Sequence, residues 1–191
     1  YSSMKLSGLH LMLTYQCTFE CDHCFTWGSP SQHGVMNLAD VQCFLRQAKE
    51  TRTVTSIYFE GGEPFMYYAT LLQGVKMAAR MGFSVGIVSN AYWATSQQDA
   101  YAGLRPFRKW LDNISVSSDL FHYSELISCQ ARDATAAAEE LGIAVGTISI
   151  ARPEVPDVAV ASGQLPEGLG GVMYSGRAVA KLVHMATPPR A

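Results

Sequence analysis

The chain has 191 residues, of which 48% are hydrophobic and 16% are charged, and its formal net charge is −2. This composition supports one domain with a sizeable core and excludes general disorder. The small net charge and the lack of a lysine or arginine run argue against nucleic acid as a partner. The N-terminal apolar stretch is too short for a membrane span and lacks a signal-cleavage pattern, so we expect a cytoplasmic protein that makes no membrane contact.

Short apolar runs alternate with helical patterns along the chain. This alternation is typical of strand–helix units that build a mainly parallel sheet. The expected strands are 9–14, 56–59, 83–88, 113–117 and 144–150.

The expected helices lie between these strands and carry recognisable end signals. Asn37 is predicted to cap the first helix, and Gly82 to end the second. Thr95 is predicted to begin the third helix in a capping box, and Pro106 to break it. A fourth helix is expected from about Tyr123.

After Arg152 the prolines and glycines predict a mobile loop, followed by a sixth strand at 171–175. A full eightfold barrel takes roughly 250 residues, so this length favours a partial one. We therefore expect an α/β fold, a partial (β/α)6-like barrel of mostly parallel strands with outer helices. Its core domain would be 1–178, followed by a C-terminal tail at 179–191. Ligand-binding residues would gather at the carboxyl ends of the strands.

Three of the five cysteines, Cys17, Cys21 and Cys24, follow the first strand with the spacing C-x3-C-x2-C. Such clustering is unlike a secreted disulfide framework and indicates metal binding. Three thiolates can hold three irons of a 4Fe-4S cluster and leave the fourth iron open, whereas an electron-transfer cluster normally has four cysteines. A zinc site is the alternative, and it needs a fourth ligand. The nearby histidines are His10, His23 and His33.

Polar groups also follow the other strands. Gly61 and Gly62 in the EGGEP turn allow a backbone to approach a ligand closely, and the Glu63 carboxylate can accept from an ammonium group. After the fourth strand, Ser117 and Asp119 offer acceptors for a ribose diol, although Asp119 can instead cap the next helix. Ser89 and Asn90 form a similar polar pair after the third strand.

The cysteine spacing and the EGGEP turn, in this order, resemble the radical S-adenosylmethionine superfamily over residues 9–178. The residue before the last cysteine is His23, where the family more often has a tyrosine, phenylalanine or tryptophan, while Phe25 keeps the loop aromatic. The resemblance implies that the open iron is chelated by the amino and carboxylate groups of S-adenosylmethionine. Reduction then yields methionine and a 5′-deoxyadenosyl radical. A reductant such as flavodoxin or ferredoxin would supply the electron.

The resemblance also implies roles for single residues. The methionyl amino end would contact the EGGEP turn, the ribose would contact the end of the fourth strand, and Ile150 would lie near adenine. Arg152 and Arg177 would pair with the methionyl carboxylate, or would be surface cations only. The expected cofactor-binding residues are His23, Phe25, Gly61, Gly62, Glu63, Pro64, Ser89, Asn90, Ser117, Asp119, Ile150, Arg152 and Arg177.

The resulting expectation is an enzyme that abstracts hydrogen from a peptide or small molecule. The alternatives are an iron–sulfur electron carrier or sensor, and a zinc-stabilised binding domain. The chain looks like subfamilies with a cysteine-rich C-terminal SPASM or twitch extension, yet no cysteine follows Cys129; we expect either a single cluster or a lost tail. Cys43 and Cys129 are predicted on outer helix faces, and His122 is a pocket-edge residue or an incidental one.

Overall fold

A computed structural model describes residues 5–153 and 168–185 of the chain. Within them, five parallel strands form one sheet in the order β1-β2-β3-β4-β5. This is the expected sheet of a partial barrel. The strands are β1 (Gly8–Thr14), β2 (Ser56–Gly61), β3 (Ser84–Ser89), β4 (Asn113–Ser117) and β5 (Ala144–Ile148).

Helices connect the strands, and most of their ends follow the sequence signals. Asn37 and Asp40 form the capping box of the first helix. Two expected starts are wrong: Ser96 rather than Thr95 caps the third helix, and the fourth begins after the Ser128 cap rather than near Tyr123. The helices are α1 (Leu38–Glu50), α2 (Tyr68–Arg80), α3 (Gln97–Leu104), α4 (Cys129–Leu141) and α5 (Arg177–Leu182), with single 3-10 turns at Pro64–Tyr67, Arg105–Phe107 and Val183–Met185.

The two faces of the sheet differ in chemistry. Alternate residues of each strand point to one side and pack against the helices in a continuous hydrophobic core. Several of the residues between them line a cavity, among them His10, Tyr58, Glu60, Val88 and Ser115. The core face carries Leu11, Leu13, Ile57, Phe59, Val85, Ile87, Ile114 and Val116, all buried.

The predicted sixth strand is not formed. Residues 171–175 are irregular, and the neighbouring Gly170 makes only an isolated parallel bridge to Ile150. The two adjacent glycines at 170 and 171 explain this result, because glycine weakens strands. The predicted loop at 154–167 lies outside the described residues. In the part of the chain that is described, no helix is long and apolar enough to cross a membrane.

Candidate functional site

A cavity of about 400 Å³ lies at the carboxyl ends of the strands. The cysteine loop, residues 17–28, forms one wall, and the open face of the sheet forms another. Eleven of the residues expected at the site line this cavity; Glu63, Pro64, Asp119, Arg152 and Arg177 do not. The eleven are Cys17, Cys21, His23, Cys24, Phe25, Gly61, Gly62, Ser89, Asn90, Ser117 and Ile150.

The cysteine loop is closed at its base by backbone hydrogen bonds. The Cys17 amide donates to the Ser29 carbonyl at 3.0 Å, and the Cys24 amide donates to the Cys21 carbonyl at 3.2 Å. Cys17 and Cys21 are buried, and Cys24 is half-buried. The loop thus directs three thiols toward one cavity, which was the expectation from their spacing.

The thiols oppose one another's ionisation. Burial, as the largest cause, and the charges of Cys17 and Cys24 together raise the pKa of Cys21 to about 12, while Arg177 acts in the opposite direction. Burial also raises the pKa of Cys17. Three ionised thiols at this place therefore need a bound positive charge, which a metal centre provides.

The spacing of the sulfurs is wide. Among the described residues, only His23, Asp119 and His122 form a group of three metal-ligating side chains whose ligand atoms all lie within 4.8 Å of one another. The three sulfurs do not meet this limit, whereas thiolates on one tetrahedral zinc ion are about 3.8 Å apart, given zinc–sulfur bonds of about 2.3 Å. A single zinc ion would therefore need at least two of the sulfurs to move closer together.

The two glycines of the EGGEP turn are required by close contacts with the neighbouring backbone of this chain. The Gly62 amide donates to the Thr14 carbonyl at 2.7 Å, so the turn lies directly on the start of the cysteine loop. Gly61 has a φ of +151°, and a Cβ there would overlap the Thr14 carbonyl. A Cβ on Gly62 would overlap the Gln16 carbonyl. Close backbone approach is therefore the reason for both glycines.

The Glu63 carboxylate is fully buried and does not line the cavity. It accepts from the Ser89 hydroxyl at 3.0 and 3.1 Å, from the Asn90 amide at 2.8 Å and from the Phe65 amide at 3.0 Å. Burial raises the pKa of Glu63 to about 7, although the three donor groups favour the ionised form. Glu63 thus joins the end of β2 to the end of β3.

Asn90 extends this network to the cysteine loop. Its side-chain amide donates to the Cys17 sulfur at 3.5 Å and to the Thr18 hydroxyl at 3.1 Å. The Tyr123 hydroxyl donates to the Asn90 carbonyl at 2.7 Å. Asn90 therefore links the buried Glu63 carboxylate to the Cys17 sulfur by hydrogen bonds.

Asp119 is also fully buried, and its carboxylate is hydrogen-bonded by its own loop and by the segment that follows β5. Its oxygens accept from the His122 ring at 2.8 Å and from the Ile150 amide at 3.2 Å. Burial acts to raise the pKa of Asp119, but the His122 hydrogen bond and nearby histidine charges outweigh it, so the pKa lies below its usual value. Asp119 is not a helix cap, and His122 rather than Asp119 lines the cavity.

His23 stacks on Phe121 with ring centroids 4.4 Å apart. Burial lowers the pKa of His23 to about 4, so the ring is neutral at physiological pH. Its Nδ1 is buried and has no hydrogen-bond partner in the part of the chain that the structure describes. Buried polar atoms normally have a partner, so this orphaned nitrogen beside the cavity suits a bound ligand.

The two arginines have different surroundings. Arg152 is exposed, donates to the Leu120 carbonyl, lies over the Phe121 ring and does not line the cavity. Arg177 is buried and donates to carbonyls of the cysteine loop. Pro64 is the first residue of the 3-10 turn and is buried.

Sequence reasoning did not place four polar residues in the cavity: His10, Tyr58, Glu60 and Ser115. Glu60 lies 3.1 Å from the His10 ring, and that ring stacks on Tyr58 with centroids 5.0 Å apart. All four line the cavity, and Tyr58 lies over Gly86. The available signal was strand alternation, because these polar residues alternate with the apolar residues of β1, β2 and β4.

Comparison with known proteins gives no matching family model but does give relatives. YydG of Bacillus subtilis (strain 168), provisionally named a peptide biosynthesis protein, is 26% identical over 86 residues, which are 45% of this chain and 27% of YydG. An S-adenosylmethionine-dependent nucleotide dehydratase of Fibrobacter sp. (strain UWH6) is 25% identical over 127 residues, 63% of this chain and 36% of the dehydratase. The chain thus matches about a third of each relative.

Two solved structures share the fold. Streptococcus suis SuiB bound to S-adenosylmethionine superposes with a TM-score of 0.59 at 18% identity, over 76% of this chain and 34% of SuiB. Native anSMEcpe with bound AdoMet superposes with a TM-score of 0.51 at 14% identity, over 75% of this chain and 43% of anSMEcpe. This chain therefore shares the fold of two structures that hold S-adenosylmethionine.

The positions of the two sequence motifs agree with this shared fold. The cysteine loop follows β1 and the EGGEP turn follows β2, at the edge of the sheet where parallel α/β folds bind ligands. The exposed Cys43 and Cys129 lie on outer helices, as expected, and take no part in the site.

Proposed function

We propose that this chain carries a 4Fe-4S cluster on Cys17, Cys21 and Cys24 and uses it with S-adenosylmethionine to abstract hydrogen from a substrate. The observation that carries the proposal is the convergence of three cysteines, without a fourth, on one cavity at the carboxyl edge of the sheet. The described residues contain no other cysteine near this cavity. Such a site leaves one iron for a cofactor.

The residues around the cysteines suit S-adenosylmethionine. Gly61, Gly62 and Ser117 line the cavity, and so does His23, whose Nδ1 has no hydrogen-bond partner among the described residues. When bound, the cluster supplies the electron that cleaves S-adenosylmethionine to methionine and a 5′-deoxyadenosyl radical. The chain's own residues hold the cofactor and exclude water around it.

We propose a peptide substrate rather than a nucleotide. YydG supports the first class by its name, and the dehydratase the second. The described lining of the cavity includes the Glu60 carboxylate but no lysine or arginine. Nucleotide phosphates are normally bound by such cations, so the lining is a poor match for them. A flavodoxin or ferredoxin is the proposed reductant.

The test is anaerobic reconstitution with iron and sulfide in the presence of zinc as a competitor. We expect close to the four irons of one cluster per chain, and an electron paramagnetic resonance signal of the reduced cluster that changes when S-adenosylmethionine is added. Cys21→Ala should lose the cluster. Cys43→Ala is the matched control, because it also removes one cysteine but from an exposed helix face.

Other outcomes would favour the alternatives. Tight binding of one zinc ion in place of iron would support a zinc-stabilised domain. A cluster whose signal ignores S-adenosylmethionine would support an electron carrier or sensor. The proposed substrate class would be supported if added peptides preserve the signal change that S-adenosylmethionine causes and added nucleoside triphosphates do not.

A further inference from the structure

The segment from Gly176 to Ala178 is bound to the cysteine loop by four hydrogen bonds. The Arg177 amide donates to the Thr26 carbonyl at 2.8 Å, and the Ala178 amide donates to the Cys24 carbonyl at 3.2 Å. The guanidinium of Arg177 donates through Nη1 to the Cys21 carbonyl at 3.0 Å and through Nη2 to the Gly28 carbonyl at 2.8 Å. One residue thus joins both sides of the loop that bears the second and third cysteines.

Gly176 makes this close approach possible. Its φ is +55°, in the left-handed region that favours glycine. A Cβ at this position would overlap the backbone of Phe25 and Thr26. The chain therefore lies against the cysteine loop at a position where no other residue type fits.

The guanidinium charge of Arg177 has no full counter-ion among the described protein groups. The side chain is 4% exposed, and the carboxylate nearest to it, that of Glu20, lies 3.8 Å away and is 66% exposed. The Trp27 ring is 5.9 Å from the guanidinium carbon. Carbonyl oxygens carry only partial charges, and a buried cation without an anion is costly. A second negative charge is therefore expected beside Arg177.

The cysteine loop supplies that charge when it holds a cluster. A 4Fe-4S cluster on three thiolates is anionic, and reduction adds one further negative charge. We propose that Arg177 is the counter-ion and clamp of this cluster: its two hydrogen bonds fix the loop, and its charge stabilises the reduced state. This inference rests on the proposed function and assigns Arg177 to the protein side of the cluster rather than to the methionyl carboxylate.

The test uses the reconstituted chain and reads the reduction potential of its cluster together with its iron content. Arg177→Gln keeps a donor but removes the charge, so reduction should become at least tenfold less favourable, a shift of about 59 mV to lower potential for one electron. Arg177→Lys keeps the charge but cannot bridge both carbonyls as a planar fork does. It should keep a potential close to the parent's while holding less iron.

Arg80→Gln is the matched control, because Arg80 is a cation on the outer helix α2, where it lies over Trp110. It should change neither quantity. If the cluster of Arg177→Gln has the same reduction potential as that of the parent, Arg177 is not its counter-ion. If Arg177→Gln does not fold, Arg177→Lys decides alone: parent iron content, or a potential shifted by 59 mV or more, overturns the proposal. Failure of the parent itself to hold a cluster would instead refute the proposed function, and the inference with it.

Discussion

The two faces of the sheet carry different chemistry on the same strands. Phe59 on β2 packs into the helix-covered core, while its neighbours Tyr58 and Glu60 line the cavity. The core face needs shape and apolar surface, which fixes the strands in place. The open face needs small and polar groups, because a ligand must fit over it. The same strands therefore present one set of residues to the core and the alternate set to the cavity.

The largest expected effect of a single change falls on the core face. Phe59→Ala should lower the free energy of unfolding by about 3–5 kcal/mol, because it leaves a cavity among fully buried neighbours. Ser115→Ala, on the open face of β4, should stay within about 0.5 kcal/mol. Denaturant unfolding of the metal-free chain measures both. Equal losses in the two variants would contradict the division between the faces.

The next effect concerns Glu63, at the edge where the two faces meet. Burial raises its pKa from 4.5 to about 7, so the folded state binds its proton more tightly than the unfolded state. The stability that this proton contributes is complete below pH 4.5 and is lost as the pH rises through 7. The loss should be about 3 kcal/mol.

The variant Glu63→Gln has no proton to lose at this position. Comparing it with the parent therefore separates the pH dependence due to Glu63 from that of the other titrating groups. The difference in unfolding free energy between parent and variant should therefore change by that amount between pH 4.5 and pH 8. A constant difference across this range would mean that the three donor groups around the carboxylate offset its burial completely.

The smallest effect compares two glycines of the open face. A Cβ on Gly86 would overlap the Tyr58 ring and meet the Asn113 side chain at 2.9 Å, whereas a Cβ on Gly146 meets nothing within 4 Å. Gly86→Ala should cost about 1–3 kcal/mol, and Gly146→Ala should be neutral or slightly stabilising. Thermal unfolding of the two variants checks this, and a destabilised Gly146→Ala variant would argue against the described floor.

Much of the core face was predictable from the sequence. Apolar periodicity located all five strands of the sheet, and capping signals such as Asn37 located helix ends. The fourth helix was misplaced because Ile127 fits an apolar stripe but is 47% exposed, outside the helix that Ser128 caps. Local pattern thus identifies elements well, while a cap decides where they begin.

The open face was only partly predictable. The cysteine spacing and the EGGEP turn located the cavity wall, because both motifs are local in sequence. The partners of Glu63 and Arg177 were not predictable, since their carboxylate and guanidinium bind groups that lie far away along the chain. His10 and Glu60 were missed for a related reason: each is an isolated polar residue until β1 and β2 pair.

The most direct test of the central claim is the formation of 5′-deoxyadenosine. The reconstituted chain is reduced with dithionite in the presence of S-adenosylmethionine, and the products are separated by chromatography. The account predicts 5′-deoxyadenosine from the parent and from Cys43→Ala, and none from Cys21→Ala. Product from Cys21→Ala at the parent's rate, or a loaded parent that forms none with any peptide or nucleotide added, would contradict it.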